Sequence, residues 1–145
     1  MRIALSIILA LITSGIQALE LNEARAKFNY QMACSGCHAP DGAGSGNVPR
    51  MKDQVGHFLA TEAGRNYLVR VPGSATSSLA DAELTEVLNW ILVRMGGESV
   101  AKDFTPYSTA EVSTLRMKPL NEVVNYRAHV LQEIAQQRSE QATTP

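Results

Sequence analysis

The motif Cys34-Ser35-Gly36-Cys37-His38 constrains the fold of this 145-residue chain more than any other feature. Two thiols separated by two residues and followed at once by histidine are typical of the attachment site of a c-type haem. One turn of chain lets both thiols add to the two vinyl groups, and the next residue then lies under the iron. The motif therefore predicts one haem c, held by thioethers to Cys34 and Cys37, with His38 as the proximal ligand. We expect the other ring nitrogen of His38 to donate to a carbonyl near Val48-Pro49.

Three other sites can be built from these residues. A thioredoxin-like dithiol needs a βαβ context, and no strand pattern flanks the two cysteines. A zinc site would add His57, although adjacent Cys37 and His38 fit poorly around one tetrahedral ion. A disulfide between Cys34 and Cys37 would close too small a loop to stabilise the chain much. The first 18 residues, described next, indicate export from the cytoplasm, and this favours haem attachment over the three other sites.

The first 18 residues have the form of a secretory signal, with Arg2, an apolar run over residues 3–12 and small residues up to Ala18. We expect cleavage after Ala18 and a periplasmic mature protein without a membrane span. An uncleaved anchor is the alternative, but the apolar run has about ten residues where a span needs about twenty. Export agrees with the cysteine count, because both cysteines belong to one motif and none remains for a disulfide framework.

Charge and length limit the classes of function and the number of domains. The chain carries 13 basic and 14 acidic side chains, and no basic patch suggests binding to nucleic acid. Without the signal, its length suits one ordinary domain. The predicted parts are a signal peptide (1–18), a haem domain (19–97), a C-terminal helical extension packed on it (98–138) and a flexible tail (139–145).

Two helices stand out in the apolar periodicity. Asn22 caps a run that leads into the haem motif and has Ala24, Phe28 and Met32 on its apolar stripe. The stronger helix spans about residues 81–95, where apolar residues follow i, i+3, i+4 and i+7. The sequence therefore predicts that helices frame the haem motif.

These features resemble the class I c-type cytochromes. In that family the first helix carries a small residue eight positions, and an aromatic residue four positions, before the first haem cysteine; here those positions hold Ala26 and Tyr30. The resemblance implies an all-α, cytochrome c-like domain around one covalent haem, in which Trp90 of the closing helix packs near both residues. It also identifies residues 39–51 with the family's glycine-rich loop that leads to a proline, here Pro49.

The middle of the chain predicts two short helices, over residues 55–60 and 64–71, the second stopped by Pro72. Arg65 and Arg70 are candidates for contacts with a haem propionate, or else are solvated surface charges. The apolar residues of these helices are expected to line the haem pocket: Phe58, Leu59, Tyr67 and Leu68.

The resemblance covers roughly residues 22–95, so the last third is an addition to the family's pattern. Ser108 or Thr109 is expected to cap a short helix through Arg116, and a last amphipathic helix is predicted from Leu120 to about Gln136. The extension would cover the haem edge or dock a partner. The residues expected to face the core are Val123, Val124, Val130, Leu131 and Ile134.

The distal ligand is where this chain departs from the family. Class I cytochromes usually take a methionine sulfur from the loop before the closing helix, and residues 72–79, PGSATSSL, contain no methionine. We predict Met51, because thioether ligation suits an electron carrier and the loop before it is glycine-rich. Simple packing on the haem is the other role open to Met51. The remaining candidates are His57, Met95, Met117 and His129, or no protein ligand.

Together, the motif and the resemblance predict a periplasmic carrier of single electrons. Its partners would be redox proteins, namely a dehydrogenase as donor and a terminal oxidase or another cytochrome as acceptor. Two alternatives stay open. One is a haem enzyme subunit or gas-binding protein with an open distal site, and the other is a haem module tethered in a larger dehydrogenase complex by its C-terminal helices.

Overall fold

The fold is known from a computed structural model, which describes residues 21–143. These residues form helices and no strand, so the all-α prediction is confirmed. No helix within the described range combines the length and apolarity that crossing a bilayer requires. The predicted signal peptide lies outside the described residues. The α-helices are α1 (Glu23–Ala33), α2 (Ser35–His38), α3 (Glu62–Arg70), α4 (Pro72–Ala75), α5 (Asp81–Met95), α6 (Thr109–Arg116) and α7 (Val123–Thr143), and 3-10 helices span Val55–Ala60 and Gly97–Ser99.

Helix α1 begins as predicted but buries a different face. The Asn22 side chain accepts a hydrogen bond from the Arg25 amide at 3.0 Å, which makes it the N-cap. Phe28 and Met32, on the predicted apolar stripe, are 59% and 72% exposed. Ala26 and Tyr30 are buried instead, because α5 covers only that side of α1. The buried face is therefore the one implied by the family resemblance.

Helix α5 forms the centre of the main core over the predicted range. The Glu83 carboxylate accepts a hydrogen bond from the Ala80 amide at 3.0 Å and so closes the first turn. The rings of Trp90 and Tyr30 lie 5.3 Å apart, centroid to centroid, at 41°. Trp90 is buried in the cluster that also contains Ala26, which confirms the predicted packing.

A partly buried ion pair also joins α1 to α5. The Glu86 side chain is wholly buried, and its carboxylate accepts hydrogen bonds from the Arg25 guanidinium at 2.7 and 2.9 Å. It also accepts the Asn22 amide at 2.8 Å. The side-chain hydrogen bond from Arg25 holds the pKa of Glu86 below its usual range. Glu86 therefore couples helix packing to pH.

We expect Glu86→Gln to be less stable at pH 7 and less sensitive to acid than the wild type. A carboxylate whose pKa is lowered by folding adds stability above its unfolded pKa of about 4.3, and that stability is lost as pH falls through the folded pKa. Replacing it should cost about 1–3 kcal/mol at pH 7, because the Arg25 pair is lost. Urea unfolding at pH 7 and in acid measures both effects. Glu83→Gln is the control, because it changes a partly exposed carboxylate of the same helix to an amide that can still accept the Ala80 hydrogen bond. An equal acid sensitivity in both variants would contradict the assignment.

The segment after α5 packs on α3 and α5 through a buried tyrosine. The Tyr107 amide donates to Asn89 Oδ1 at 2.8 Å, and Asn89 Nδ2 donates to the Tyr107 carbonyl at 3.0 Å. The Tyr107 hydroxyl donates to the Arg65 carbonyl at 2.7 Å, and burial raises the pKa of this hydroxyl. Ser108 caps α6, because its side-chain oxygen accepts a hydrogen bond from the Glu111 amide at 3.2 Å. The predicted cap of α6 is confirmed.

The two arginines proposed for a propionate bind the extension instead. Arg65 forms a two-pronged ion pair with Glu111 at 2.6 and 2.8 Å, and its guanidinium lies 4.1 Å from the centre of the Tyr107 ring. Arg70 donates to the Lys118 carbonyl at 2.7 Å. The extension supplies acceptors for both side chains: Arg65 is mostly buried, whereas the hydrogen bond of Arg70 lies at the exposed surface. Contact of either residue with a propionate stays a prediction.

A second, smaller core lies between α3 and α7. Phe58 and Tyr67 stack at 5.1 Å and join this core, so they pack against the extension rather than in the main cluster. The partly buried Leu59 packs on the main cluster, and the partly buried Leu68 packs on both cores. Pro72 ends α3, as predicted, but it also begins the single turn of α4.

Helix α7 begins at Val123 and extends beyond Gln136 to Thr143, into the predicted tail. Val130 and Ile134 are buried as predicted, whereas Val124 and Leu131 are 79% and 39% exposed. The prediction is wrong for these two residues because α3 and the 3-10 helix at 55–60 cover only one side of α7.

Candidate haem site

The haem motif occupies the turn directly after α1. The Cys37 and His38 amides both donate to the Cys34 carbonyl, at 3.2 and 3.0 Å, and so close the single turn of α2. Both cysteines are free thiols; Cys34 is partly buried and Cys37 is exposed. Burial raises the pKa of the Cys34 thiol. One turn therefore brings two thiols and one imidazole together, as the motif predicts.

The environment of His38 favours a neutral imidazole. Burial lowers its pKa, and the nearby Pro49 carbonyl opposes that shift. Nδ1 is buried and has no hydrogen-bond partner of normal geometry. A buried ring nitrogen without a partner is unusual in a residue that only packs, whereas a ligand histidine commonly uses a backbone carbonyl to orient its ring. Cys34, Cys37 and His38 therefore fit a covalently attached haem, with the Pro49 carbonyl beside the imidazole.

A hydrogen bond from α1 holds the residue that follows His38. The Tyr30 hydroxyl donates to the Ala39 carbonyl at 2.6 Å. Burial raises the pKa of Tyr30 to about 12, so the hydroxyl keeps its proton and stays a donor at neutral pH. Tyr30 thus joins the helix crossing to the haem turn.

The glycine-rich loop folds back against the motif. The Gly44 amide donates to the His38 carbonyl at 3.0 Å. Gly44 has a φ of 80°, and a Cβ there would lie 2.5 Å from the Val48 carbonyl oxygen. The Met51 and Lys52 amides donate to the Gly42 carbonyl at 2.8 and 3.0 Å. The loop is thus closed by its own hydrogen bonds, which glycine permits.

Two thioether side chains, those of Met51 and Met95, belong to residues that border this loop. Met51 is partly buried against the main core and lies two residues after Pro49, whose carbonyl faces His38. Met95 is buried, and its sulfur would be 2.8 Å from a Cβ placed on Gly42. The distal ligand stays a prediction.

The other distal candidates lie against the extension or belong to it. His57 is in the first 3-10 helix, and burial together with the charge of Arg138 lowers its pKa. Met117 follows α6 and is 78% exposed, while His129 pairs with Glu133 on α7 at 3.1 Å. No group of three or more metal-binding side chains gathers anywhere in residues 21–143, which includes His57 and the cysteines of the zinc alternative.

Comparison with known proteins finds related cytochromes. A cytochrome c-552 of Thermus thermophilus is 34% identical over 106 residues, which cover 60% of this chain and 81% of the relative. A second cytochrome c-552, from a strain of the same species, is also 34% identical over 106 residues, and the match covers 72% of its length. No protein-family model matches the chain. No solved structure matches it either.

Proposed function

The chain belongs to the c-type cytochromes, and on this basis we propose that it carries one haem c, bound through Cys34 and Cys37 and ligated by His38, and passes single electrons between proteins. The observation that carries the proposal is the single turn that presents two free thiols and an imidazole with a lowered pKa. The similarity to cytochrome c-552 supports the same family of cofactor.

Each residue of the proposed site would attach, ligate or orient the haem. When bound, the haem supplies a reversible one-electron change at its iron. The thiols of Cys34 and Cys37 would provide the covalent links, and His38 would provide a neutral ring nitrogen for the metal. The Pro49 carbonyl, which lies beside that ring, would orient it, and the Tyr30 hydroxyl holds the backbone at Ala39. Electron transfer of this kind needs no nucleophile or proton donor beside the cofactor.

We also place the mature protein in the periplasm, between a dehydrogenase and a terminal oxidase or another cytochrome. The support is the signal-like pattern of residues 1–18 together with a haem-attachment motif. Cell fractionation tests the location, and the mass of the purified protein tests the processing: an N-terminus at Leu19 is expected, and retention of residues 1–18 would contradict cleavage after Ala18.

A mediated redox titration of the purified holoprotein tests the carrier function. One reversible one-electron transition is expected, and electron exchange with a second c-type cytochrome should occur without any substrate being consumed. An irreversible transition, or turnover of a small molecule by the reduced protein, would contradict the proposal.

A specific observation supports the gas-binding alternative. Residues 72–80, which precede α5, contain no thioether or imidazole side chain. Rapid binding of carbon monoxide to the native ferrous protein would favour this alternative, and slow binding would favour the carrier.

Met51→Ala tests the proposed distal ligand. Loss of a sulfur ligand should abolish the near-infrared sulfur-to-iron band of the oxidised protein, lower its potential and admit carbon monoxide. Met95→Ala is the matched control, because a buried core methionine should instead cost about 2–5 kcal/mol of stability and leave the band in place. A wild type without the band, or an unchanged band in Met51→Ala, would remove Met51 from the site.

A further inference from the structure

The apolar stripe of α1 faces outward. Phe28 and Met32 are both more than half exposed. They lie four residues apart, so their side chains are neighbours on one face of the helix, and the exposed Ala24 continues the same stripe. Single apolar residues are common at protein surfaces, but an aromatic side chain beside a methionine is typical of the centre of an interface. We call these three residues, Ala24, Phe28 and Met32, the α1 patch.

The α1 patch lies directly before the haem turn. Met32 is two residues before the first haem cysteine, a separation that the chain spans in at most about 7 Å. The Ser35 hydroxyl donates to the Gln31 carbonyl at 2.7 Å and so joins the last turn of α1 to the first residue of α2. Cys37 is exposed in this turn, and a Cβ on Gly36 would meet no atom within 4 Å. A protein bound to the patch would therefore lie close to the turn that attaches the haem.

The charges on the two sides of the α1 patch are positive. Lys27 is exposed and forms no ion pair with any side chain in residues 21–143. Arg25, on the other side of the stripe, is 53% exposed although it binds Glu86. The carboxylate of Glu23, at the start of the helix, is paired with Arg94. An apolar centre with cations at its rim is complementary to an apolar surface that is bordered by carboxylates.

The same charges disfavour a second copy of this chain as the occupant. In a two-fold symmetric dimer the same surface patch meets itself. Lys27 and Arg25 of one copy would then approach the same two cations of the other copy, and like charges at an interface are unfavourable. The charges therefore favour a different protein of opposite sign.

We propose that the α1 patch, with Lys27 and Arg25 at its rim, is the docking surface for a redox protein that presents an apolar surface bordered by carboxylates. This inference rests on the proposed function, because a carrier of single electrons must bring its partner close to its haem. It adds the place of docking and the charge of the partner. The apolar centre holds the partner in contact, and the cations speed its approach and set its orientation.

Stopped-flow reduction of the ferric holoprotein by a flavodoxin of strongly negative net charge tests this docking surface. The flavin hydroquinone anion gives one electron to the ferric iron and becomes the neutral semiquinone. At an ionic strength of about 0.1 M, Lys27→Glu should slow the second-order reaction about tenfold and weaken its dependence on salt, because a steering cation becomes an anion. Phe28→Ser should slow the reaction about fivefold, a loss typical of a contributing interface residue.

Binding without electron transfer gives a second readout. When oxidised flavodoxin is added to the ferrous holoprotein, the backbone amide chemical shifts of residues 24–36 should change. The changes should be smaller in Lys27→Glu and in Phe28→Ser, because both variants weaken docking. Shift changes confined to other residues would place the docking surface elsewhere and overturn the inference.

Two variants distant in sequence from α1 serve as matched controls. Lys118 is exposed in the extension, so Lys118→Glu has the same net charge as Lys27→Glu and leaves the α1 patch intact. Val124 on α7 is apolar and more than half exposed, so Val124→Ser matches Phe28→Ser. Both controls should stay within about twofold of the wild-type rate, because surface changes that share no partner with the patch act independently of it.

The remaining outcomes separate this inference from the proposed function. Equal rates in wild type, Lys27→Glu and Phe28→Ser would overturn the inference alone, as would equal slowing by the controls. A lower urea midpoint for Phe28→Ser would overturn it too, since the ring would then be covered within the holoprotein. A wild-type dimer that Phe28→Ser returns to a monomer would assign the patch to a second copy and overturn it.

A wild type without a reversible one-electron transition would contradict the proposed function first, and the inference with it. If Phe28→Ser retains no haem, Met32→Gln decides, because it makes the other large side chain of the patch polar. A wild-type rate of reduction in Met32→Gln overturns the inference, and a slower rate supports it.

Discussion

Cys34→Ala combined with Cys37→Ala is expected to abolish covalent haem completely. The thioether links need both thiols, and both cysteines of the chain lie in this one turn. With His38 as the remaining link, the haem would be held without a covalent bond to the chain and would dissociate from the polypeptide on denaturation. Acid-acetone extraction and the mass of the polypeptide measure the attachment: the wild type should retain the mass of one haem, and the double variant none.

Gly36→Ala is the control for this change, because it alters the same turn without touching a thiol. A Cβ on Gly36 would meet no atom within 4 Å, so the variant should keep its haem. A wild type that releases all its haem, or a double variant that retains it, would show that the cofactor is not attached through these cysteines.

Trp90→Ala is expected to destabilise the holoprotein by about 3–5 kcal/mol, the range for truncation of a large core aromatic residue. Trp90 is 7% exposed, and its ring contacts the Tyr30 ring. The substitution removes this contact, which links α5 to the helix that leads into the haem turn. Denaturant unfolding followed by circular dichroism measures the loss. As the chain contains one tryptophan, its emission should also be quenched by the nearby haem and recover on unfolding.

Two further substitutions serve as controls for Trp90→Ala. Trp90→Phe keeps an aromatic ring against Tyr30 and should cost less than Trp90→Ala. Val93→Ala changes a residue of the same helix that is 51% exposed, so it should alter the free energy of unfolding by at most about 0.5 kcal/mol. Bright native emission together with a neutral Trp90→Ala would show that α5 does not pack beside the haem.

The extension is joined to the haem domain mainly through arginines whose partners are far apart in sequence. Arg65 and Arg70 reach from α3 to the extension, and Arg116 reaches back to the segment before α5. Buried and partly buried arginines of this kind fix geometry, since one planar group binds several carbonyl oxygens at set angles. These arginines therefore fix the position of the extension against α3 and against the segment before α5.

The features predictable from the sequence depend on groups close together along the chain. The CSGCH motif, the Asn22 cap, the Ser108 cap and the range of α5 all follow from spacings of a few residues, over which local hydrogen bonds and helical periodicity act. The burial of Ala26, Tyr30 and Trp90 followed from the family resemblance rather than from periodicity, which favoured Phe28 and Met32 instead.

Tertiary structure alone decided which side of each helix is covered and which charges meet. Glu86 and Arg25 are separated by 61 positions, and Arg116 and Ser77 by 39, so no local pattern could pair them. Phe28, Met32, Val124 and Leu131 are apolar at helical spacing and still face outward, because a helix buries only the side that another element covers. The sequence by itself determined which reactive side chains lie in the predicted haem turn. The packing of the extension determined which side chains surround the loop before α5. The reason is that partners distant in sequence are selected by how the helices pack, and not by the residues next to them in the chain.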